Sequence, residues 1–357
     1  MGILRQNSMI MVKTLPLVRS TALGSMLIWL LAAVPNSHAQ PVKIILDTDM
    51  LTDPEDVNAL WLLNTLADRG EAEILACVVN GHETNRASGA AVDVVNTWFG
   101  RPDIPLGSFK GGYPKKRSPF TPLLRDEFPH TAPDDDKLPS ALEIYRSVLA
   151  RQPDKSVVIV SIGFLMNLKD LLSSAPDKHS DLRGADLIRR KVKKLAVMGG
   201  KYPRGTEYNF SFGGVGPCTQ EVVEQWPDEV PIVFSGYEIG GRVISGKNYK
   251  KTLPPGPLRT ALEHQYDALA RGRESWDELM VLYAVRGLSH QGVEYWKLHS
   301  GGCVSIDAKT GANVWKDAPT RNQAYLVESL PPDRLAQILE ELILKGPRSS
   351  LRPATQR

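Results

Sequence analysis

Cysteine is scarce in this chain: only Cys77, Cys218 and Cys303 occur among 357 residues. So small and odd a number does not provide the framework of a disulfide-stabilised fold. We expect three buried thiols instead. The chain is long enough, and at 42% hydrophobic residues apolar enough, to bury a large core without covalent cross-links.

An excess of charge is also missing once the first 39 residues are set aside. Those residues hold three basic side chains and no acidic one, so residues 40–357 carry 40 basic and 40 acidic residues. Proteins that bind nucleic acid usually show a basic footprint. The balance gives no support for nucleic acid as a partner.

The segment 1–39 is typical of a secretory signal peptide. Its three basic residues precede the apolar run "TALGSMLIWLLAAV", which is too short to span a bilayer comfortably. Ser37 and Ala39 then provide the small residues of a cleavage site. We therefore expect a periplasmic or secreted protein with no membrane association after cleavage. An uncleaved anchor helix is the alternative.

Short apolar runs alternate with helical patterns over residues 40–345, which we expect to form one domain, followed by a disordered tail at 346–357. The alternation predicts an α/β fold with an open, mostly parallel sheet flanked by helices. A helix is expected over 83–100, an irregular loop over 108–138 and a hairpin within 300–322. The predicted strands are 42–46, 72–79, 156–162, 193–200 and 231–236.

An acidic cluster follows the first predicted strand, in "ILDTDMLTDPEDVNAL". Like charges this close raise one another's pKa unless a cation compensates them. No Lys or Arg lies in the stretch, so the compensating charge must come from elsewhere in the fold or from a metal ion. The acidic residues are Asp47, Asp49, Asp53, Glu55 and Asp56.

Amides and carboxylates also follow the other predicted strands, at Asn80, Asn167, Glu207, Asn209 and Glu238. Open α/β sheets bind their ligands beyond the carboxyl ends of the strands. A set of oxygen donors suits a hard cation such as Ca²⁺, whereas the scarcity of thiols and imidazoles does not suit structural zinc. We therefore expect a calcium site at this edge.

Several segments in order resemble one family. "ILDTDMLTDPEDVNAL" resembles the N-terminal signature of the inosine–uridine-preferring nucleoside hydrolases, a strand followed by D-x-D-x-x-x-D-D. The segments "VVNGHETNRASGAAVDVVNTWFGRPDIPLG", "VVIVSIGFLMNLKDLL", "LAVMGG" with "EYNF", and "SWDELMVLYAV" resemble later family segments. The resemblance covers nearly all of residues 40–345 and is that of an exported, bacterial-type variant.

The resemblance implies Ca²⁺-dependent hydrolysis of the N-glycosidic bond of a ribonucleoside or related N-glycoside, giving free base and ribose. It is also compatible with a homo-oligomer, since family members often form dimers or tetramers. The implied calcium ligands are Asp49, Asp56, the main-chain carbonyl of Met166, and Asp277, with Asp49 also the catalytic base. The implied sugar contacts are Asn80, Glu207 and Asn209. Asp47 and Asn167 would lie behind the residues that contact the ligand and hold them in position.

Two departures from the family pattern concern the substrate. The acidic motif is longer by two residues, so either Asp53 or Glu55 could take the place of the first Asp of the pair. We favour Glu55, because it directly precedes Asp56 at the start of the next helix. Trp276 stands where many members have the His proposed as leaving-group acid. An indole N–H cannot act as a general acid near neutral pH, so Trp276 is expected only as a substrate contact.

Two other functions remain compatible with the residues. An exported sugar- or nucleoside-binding protein with little turnover would keep the metal site and lack the acid. A haloacid-dehalogenase-type phosphatase also opens with D-x-D after a strand. It would need a later Lys and a paired acidic motif, whereas "GGKYP" supplies only Lys201 and no acidic pair. Asn167 and Asp277 could also be simple helix caps.

Overall fold

The structure is a computed structural model that describes residues 40–81, 83–112 and 116–347. The predicted signal peptide at 1–39 and all but the first two residues of the predicted tail lie outside these ranges. The strands are β1 Val42–Thr48, β2 Ala72–Val79, β3 Leu106–Ser108, β4 Val157–Ser161, β5 Val192–Met198, β6 Arg204–Gly205, β7 Ile232–Ser235, β8 Ile244–Ser245, β9 Arg273–Glu274, β10 Ser289–His290, β11 Val293–Glu294, β12 Trp296–Ile306, β13 Asn313–Lys316 and β14 Gln323–Glu328.

The helices differ in length, and the longest ones cover the sheet. They are α1 Glu55–Asp68, α2 Ser88–Trp98, α3 Thr121–Glu127, α4 Ala141–Arg151, α5 Met166–Ser173, α6 Gly184–Lys191, α7 Tyr208–Ser211, α8 Gly216–Gln225, α9 Tyr237–Gly240, α10 Tyr249–Thr252, α11 Pro257–Glu263, α12 Ala268–Arg271, α13 Trp276–Arg286 and α14 Pro332–Ile343. Among the described residues, no helix combines the length and apolarity needed to cross a membrane.

Ten strands form one sheet in the order β3-β2-β1-β4-β5-β7-β14-β12-β13-β6. The pairs from β3 to β14 are parallel, and the pairs β14–β12, β12–β13 and β13–β6 are antiparallel. The predicted α/β class with a mostly parallel sheet is confirmed. The predicted late hairpin is also confirmed, as β12 and β13.

Apolar layers cover both faces of the parallel strands, which explains why these strands are apolar at nearly every position. On β1, Ile44 and Leu46 belong to one buried cluster, which includes Leu60 of α1 and Leu279 of α13. Ile45 points to the opposite cluster with α4, α5 and α8. This alternation sets the orientation of the residues that follow β1.

Two local predictions were wrong. Residues 83–87 precede α2 instead of forming its first turn, because the buried Glu83 carboxylate accepts hydrogen bonds from the main chain at Ala87 and Ser118. The loop expected over 108–138 contains helix α3, whose start is fixed by Ser118 Oγ accepting the N–H of Thr121 at 3.2 Å.

The carboxyl ends of the parallel strands lie level with one another. Asp47 is paired in register with Val78 of β2 and with Ser161 of β4. The residues following these strands therefore meet at one edge of the sheet. Helix α13 packs against α1 and brings its first residues, Trp276 and Asp277, to the same edge.

Candidate active site

A cavity of about 480 Å³ opens at this edge of the sheet. Most of its inner wall is acidic, and most of its outer wall is aromatic. It gathers residues from sequence segments more than 200 positions apart. The lining residues are Asp49, Thr52, Asp53, Glu55, Asp56, Ile162, Met198, Lys201, Thr206, Glu207, Tyr208, Asn209, Ser211, Tyr237, Tyr266, Arg273, Trp276 and Asp277.

Asp49 and Asp56 form the centre of the acidic wall. The Thr48 hydroxyl donates to Asp56 Oδ1, as does the main-chain N–H of Met50 at 3.2 Å. The side chains of Asp49 and Asp56 interact directly. Burial and then the neighbouring Asp56 raise the pKa of Asp49 well above its usual range, and burial raises that of Asp56 to about 7. The two raised pKa values express the repulsion and burial that the sequence predicted would need a compensating cation.

Asp53 and Glu55 line the same wall but have different partners. The Arg273 guanidinium forms an ion pair with Asp53, both through its terminal nitrogen and through Nε at 3.1 Å. Glu55 Oε2 accepts the main-chain N–H of Trp276 at 3.0 Å and that of Asp277 at 3.4 Å. Glu55 is therefore the acid adjoining Asp56 and the start of α13, as favoured above, whereas Asp53 is neutralised by Arg273. The substrate role of Glu55 stays a prediction.

Asp277 completes the acidic wall from the first turn of α13. It is buried, and burial followed by the charges of Glu55 and Asp56 raises its pKa well above the usual range. Ser275 holds the cap position of this helix, so Asp277 is not a helix cap. The structure brings Asp49, Asp56 and Asp277 to one cavity wall.

Asp47 lies behind that wall and is fully buried. Its carboxylate accepts hydrogen bonds from Asn80 Nδ2 at 2.7 Å, Asn167 Nδ2 at 3.0 Å and the Tyr145 hydroxyl at 2.7 Å. Burial outweighs these bonds and raises the pKa of Asp47 to about 7. The geometry agrees with the supporting position predicted for Asp47 and Asn167. Tyr145 was missed, because nothing in its helical segment distinguishes it from a core residue.

Asn80 and Met166 are not among the residues that line the cavity. Asn80 donates to Asp47, and its Oδ1 accepts the N–H of Phe164 at 2.9 Å, so both of its polar groups are used inside the protein. The side chain of Met166, the first residue of α5, is buried in the core. Asn80 therefore supports Asp47 instead of facing a sugar. The role predicted for the Met166 carbonyl stays a prediction.

Glu207 and Asn209 line the cavity from the loop after β5. Glu207 Oε1 accepts the N–H of Asn209 at 2.8 Å, and Oε2 accepts that of Gly200 at 3.1 Å. Asn209 Nδ2 donates to the carbonyl of Met198 at 3.3 Å, at the end of β5. Burial raises the pKa of Glu207 to about 7 despite its backbone bonds. Both residues thus line the same cavity as Asp49 and Asp56, and their predicted contact with a sugar stays a prediction.

The pKa of Glu207 predicts a pH dependence of stability in the metal-free protein. The folded state holds this proton up to pH about 7, whereas an unfolded Glu releases it near pH 4.5. The folded state therefore binds more protons, so this contribution to the free energy of unfolding is fully present below pH 4.5 and is lost as pH rises through 7. Glu207→Gln removes it, and urea unfolding should show a difference between the two proteins that changes by about 1–3 kcal/mol across this window. Parallel pH curves would contradict the assignment.

Four aromatic side chains form the outer wall: Tyr208, Tyr237, Tyr266 and Trp276. The first three are 39%, 45% and 56% exposed, unusually high for large side chains. The indole of Trp276 stacks on Tyr237 at 5.1 Å between ring centroids, and its Nε1–H donates to the carbonyl of Tyr237 at 2.8 Å. The indole N–H is thus already used, which agrees with the expectation that Trp276 is not an acid.

Two cations also line the cavity, and neither was predicted as a site residue. Arg273 lies 4.6 Å from the ring centre of Tyr266 and 5.4 Å from that of Trp276. Lys201 lies 5.6 Å from that of Tyr237. The sequence required a cation for the acidic cluster, but only the fold shows that Arg273, 220 residues from Asp53, supplies part of it.

The donor chemistry of the acidic wall suits a hard cation, since buried carboxylates predominate and among the described residues no basic side chain bonds Asp49, Asp56 or Asp277. The arrangement itself is not that of a finished metal centre: no group of three or more His, Cys, Asp or Glu side chains within residues 40–81, 83–112 and 116–347 is positioned to hold an ion.

Comparison with known proteins defines the fold. No family model matches the chain, and no curated protein matches it. Solved structures do match. An inosine-guanosine nucleoside hydrolase has a TM-score of 0.65 at 17% identity, over 86% of this chain and 99% of that one. An inosine-uridine preferring nucleoside hydrolase from Bacillus anthracis has 0.61 at 16%, over 85% and 99%. The type III effector protein XopQ, complexed with adenosine diphosphate ribose, has 0.58 at 14%, over 86% and 94%. The chain therefore has the nucleoside hydrolase fold.

Proposed function

We propose that this protein hydrolyses the N-glycosidic bond of a ribonucleoside or related N-glycoside, releasing free base and ribose. The observation that carries the proposal is the meeting of Asp49, Asp56 and Asp277 in one cavity that is also lined by Tyr208, Tyr237, Tyr266 and Trp276. The nucleoside hydrolase fold supports it, because the neighbours are described as nucleoside hydrolases. The signal-like segment at 1–39 supports the further proposal that the activity is periplasmic or secreted.

Ca²⁺ is the proposed metal, and Asp49, Asp56 and Asp277 are its proposed side-chain ligands, with the Met166 carbonyl as a main-chain ligand. Burial and the neighbouring Asp56 raise the pKa of Asp49, and a bound cation would offset this repulsion. When bound, such an ion lowers the pKa of a coordinated water and attracts hydroxyl oxygens.

Asp49 is the proposed general base. Its carboxylate lies at the centre of the acidic wall, beside Asp56, and takes a proton from the attacking water. The attack on the anomeric carbon leaves positive charge on the sugar ring, as in other glycoside cleavages. The ionised carboxylates around it stabilise that charge in a site where little water is present to screen it.

Glu207 and Asn209 are proposed to hold the sugar, since both line the same cavity as Asp49 and Asp56 from the loop after β5. Glu55 is proposed to contact the substrate beside Asp56. Trp276 contributes an apolar wall next to the leaving base. The three tyrosine rings and the two cations line the same cavity as Trp276, so an aromatic base fits beside them.

Trp276 is not the acid that protonates the leaving group, because its N–H is bonded to Tyr237. Trp276→Phe keeps an aromatic ring at this position and removes the N–H with part of the indole, so we expect kcat for sugar release to change less than about threefold. Steady-state rates with one purine nucleoside test this. Tyr237→Phe, which keeps the stack and the carbonyl acceptor, is the matched control. A loss of about a hundredfold or more in Trp276→Phe alone would assign the indole a role in proton transfer.

A second function is favoured by the same indole contact. Without an acid at Trp276, the protein could bind a ribosyl ligand and turn it over little, as an exported sugar- or nucleoside-binding protein. The neighbour XopQ was solved in complex with adenosine diphosphate ribose. Nothing in the fold favours the phosphatase alternative, since its neighbours are nucleoside hydrolases.

Incubation with a panel of purine and pyrimidine nucleosides separates the two functions. A hydrolase releases reducing sugar from at least one nucleoside, and Asp49→Ala abolishes that release. A binding protein gives a calorimetric binding signal with a nucleoside and no sugar above the rate in buffer. The second result would overturn the hydrolase proposal.

A further inference from the structure

Two cations and three aromatic rings of the cavity lining form a chain of contacts, which we call the ladder. Lys201 lies beside Tyr237, Tyr237 stacks on Trp276, Trp276 adjoins Arg273, and Arg273 lies over Tyr266. All five side chains line the cavity. A ladder of this kind provides flat apolar surface for an aromatic ring and positive charge beside it.

The two cations of the ladder differ in whether their charge is already paired with a carboxylate. Arg273 directs Nε and one terminal nitrogen to Asp53 and the other terminal nitrogen to Glu274 at 2.6 Å. Its charge is therefore compensated inside the protein. In the described ranges, no carboxylate is recorded within ion-pair distance of Lys201. Its acidic neighbour Glu238 directs Oε2 to the main-chain N–H of Tyr202 at 2.9 Å.

The main chain of Lys201 is fixed in place. Its N–H donates to Asn313 Oδ1 at 2.8 Å, and its carbonyl accepts Asn313 Nδ2 at 2.8 Å. The preceding Gly200 donates its N–H to Glu207 and accepts the N–H of Tyr237 at 2.8 Å. The main chain at Lys201 is thus held by hydrogen bonds to Asn313 and, through Gly200, to Glu207 and Tyr237. The Lys201 ammonium group is the cation of the ladder that is available to bind a ligand.

We infer that the preferred substrate carries an anionic group on its aromatic base, and that Lys201 binds that group and determines the specificity of the site. This inference rests on the hydrolase function proposed above and adds the chemical class of the leaving base. The acidic inner wall would repel an anion placed on the sugar side, whereas the ladder accepts one on the base side. A carboxylate is the simplest such group, and a lysine–carboxylate contact is a charge-assisted hydrogen bond.

Nicotinate riboside and nicotinamide riboside form a matched pair of probes, since they differ only by a carboxylate in place of an amide. Their pyridine bases leave without needing a proton, so the comparison does not depend on which group serves as acid. We expect kcat/KM to be about tenfold higher for nicotinate riboside, as one charge-assisted contact of this strength predicts. Lys201→Gln should reduce the ratio to about one, and Lys201→Glu should invert it.

Binding of the free bases tests the same contact without turnover. Quenching of the cavity tryptophan should give a Kd for nicotinate about tenfold below that for nicotinamide, and Lys201→Gln should equalise the two. Lys309→Gln, an exposed lysine in the turn between β12 and β13, is the control and should leave the ratio unchanged. Asn313→Ala should reduce the preference without removing the charge.

Each result has one meaning. Equal Kd values for the two bases in the wild-type protein, or a preference that survives Lys201→Gln, would overturn the inference whether or not sugar is released. A Lys201-dependent preference in binding without sugar release would support the inference and count against the hydrolase function alone.

Discussion

Replacing Asp49 with Asn is expected to lower kcat for sugar release by about a thousandfold, the scale of a lost general base. The side chain keeps its size and can still donate a hydrogen bond to Asp56, so the cavity should keep its shape. Steady-state rates with the best nucleoside of a panel measure the effect. Asp103→Asn, at an exposed acid outside the cavity, is the matched control and should leave kcat unchanged.

Stability distinguishes this loss from misfolding. Burial and the neighbouring Asp56 raise the pKa of Asp49 in the folded protein well above its usual range, so keeping this carboxylate ionised at neutral pH carries a free-energy cost in the folded state. Asn removes that cost, and we expect Asp49→Asn to raise the free energy of unfolding of the metal-free protein by about 1 kcal/mol or more. A variant that is both inactive and less stable would show that Asp49 supports the fold instead of the reaction. A variant with normal kcat would remove Asp49 from the mechanism.

Removal of Ca²⁺ is expected to abolish sugar release and to lower the melting temperature by several degrees. An ion present at a hundredfold excess over its Kd stabilises the folded state by about 2.7 kcal/mol. In this protein it would also offset the mutual repulsion of Asp49, Asp56 and Asp277. Thermal melts and rates with chelator, and then with Ca²⁺ restored, measure both effects.

Asp277→Asn should weaken that stabilisation, because it removes one proposed ligand while keeping the first turn of α13. Asp103→Asn should respond to Ca²⁺ as the wild-type protein does. Full activity in chelator, together with a melting temperature that does not change with Ca²⁺, would rule out a role for the metal ion.

The sequence predicted the parallel sheet well because its strands are apolar on both faces. Ile44, Ile45 and Leu46 alternate between two buried layers, and such runs have few other uses in a chain of this composition. The acidic cluster after β1 was recognised from the sequence as a candidate site, because like charges packed at a strand end require a compensating cation. Local sequence therefore located the edge of the sheet where the site lies.

What the sequence could not supply was the pairing of distant residues. Arg273 compensates Asp53 from another strand, and Tyr145 reaches Asp47 from α4. Asn80 was predicted to face a sugar, but its two polar groups bond Asp47 and the main chain of Phe164. A short motif shows which residue types are present and leaves open which way each side chain points.

The aromatic wall of the cavity could not be predicted as a unit, for the same reason. Tyr208, Tyr237 and Tyr266 belong to three separate segments, and each alone resembles an ordinary surface or core residue. Their shared exposure on one cavity wall becomes visible only when the segments meet. Trp276 was singled out from the sequence, yet the bond between its indole and Tyr237 depends on the fold.

The most direct test of the central claim is chromatography of the products formed from one nucleoside by residues 40–357 in Ca²⁺. The account predicts free base and ribose in equal amounts, with neither formed by Asp49→Asn. Intact nucleoside after prolonged incubation across the whole panel, with Ca²⁺ bound and the protein folded, would contradict it and leave a binding role for the cavity.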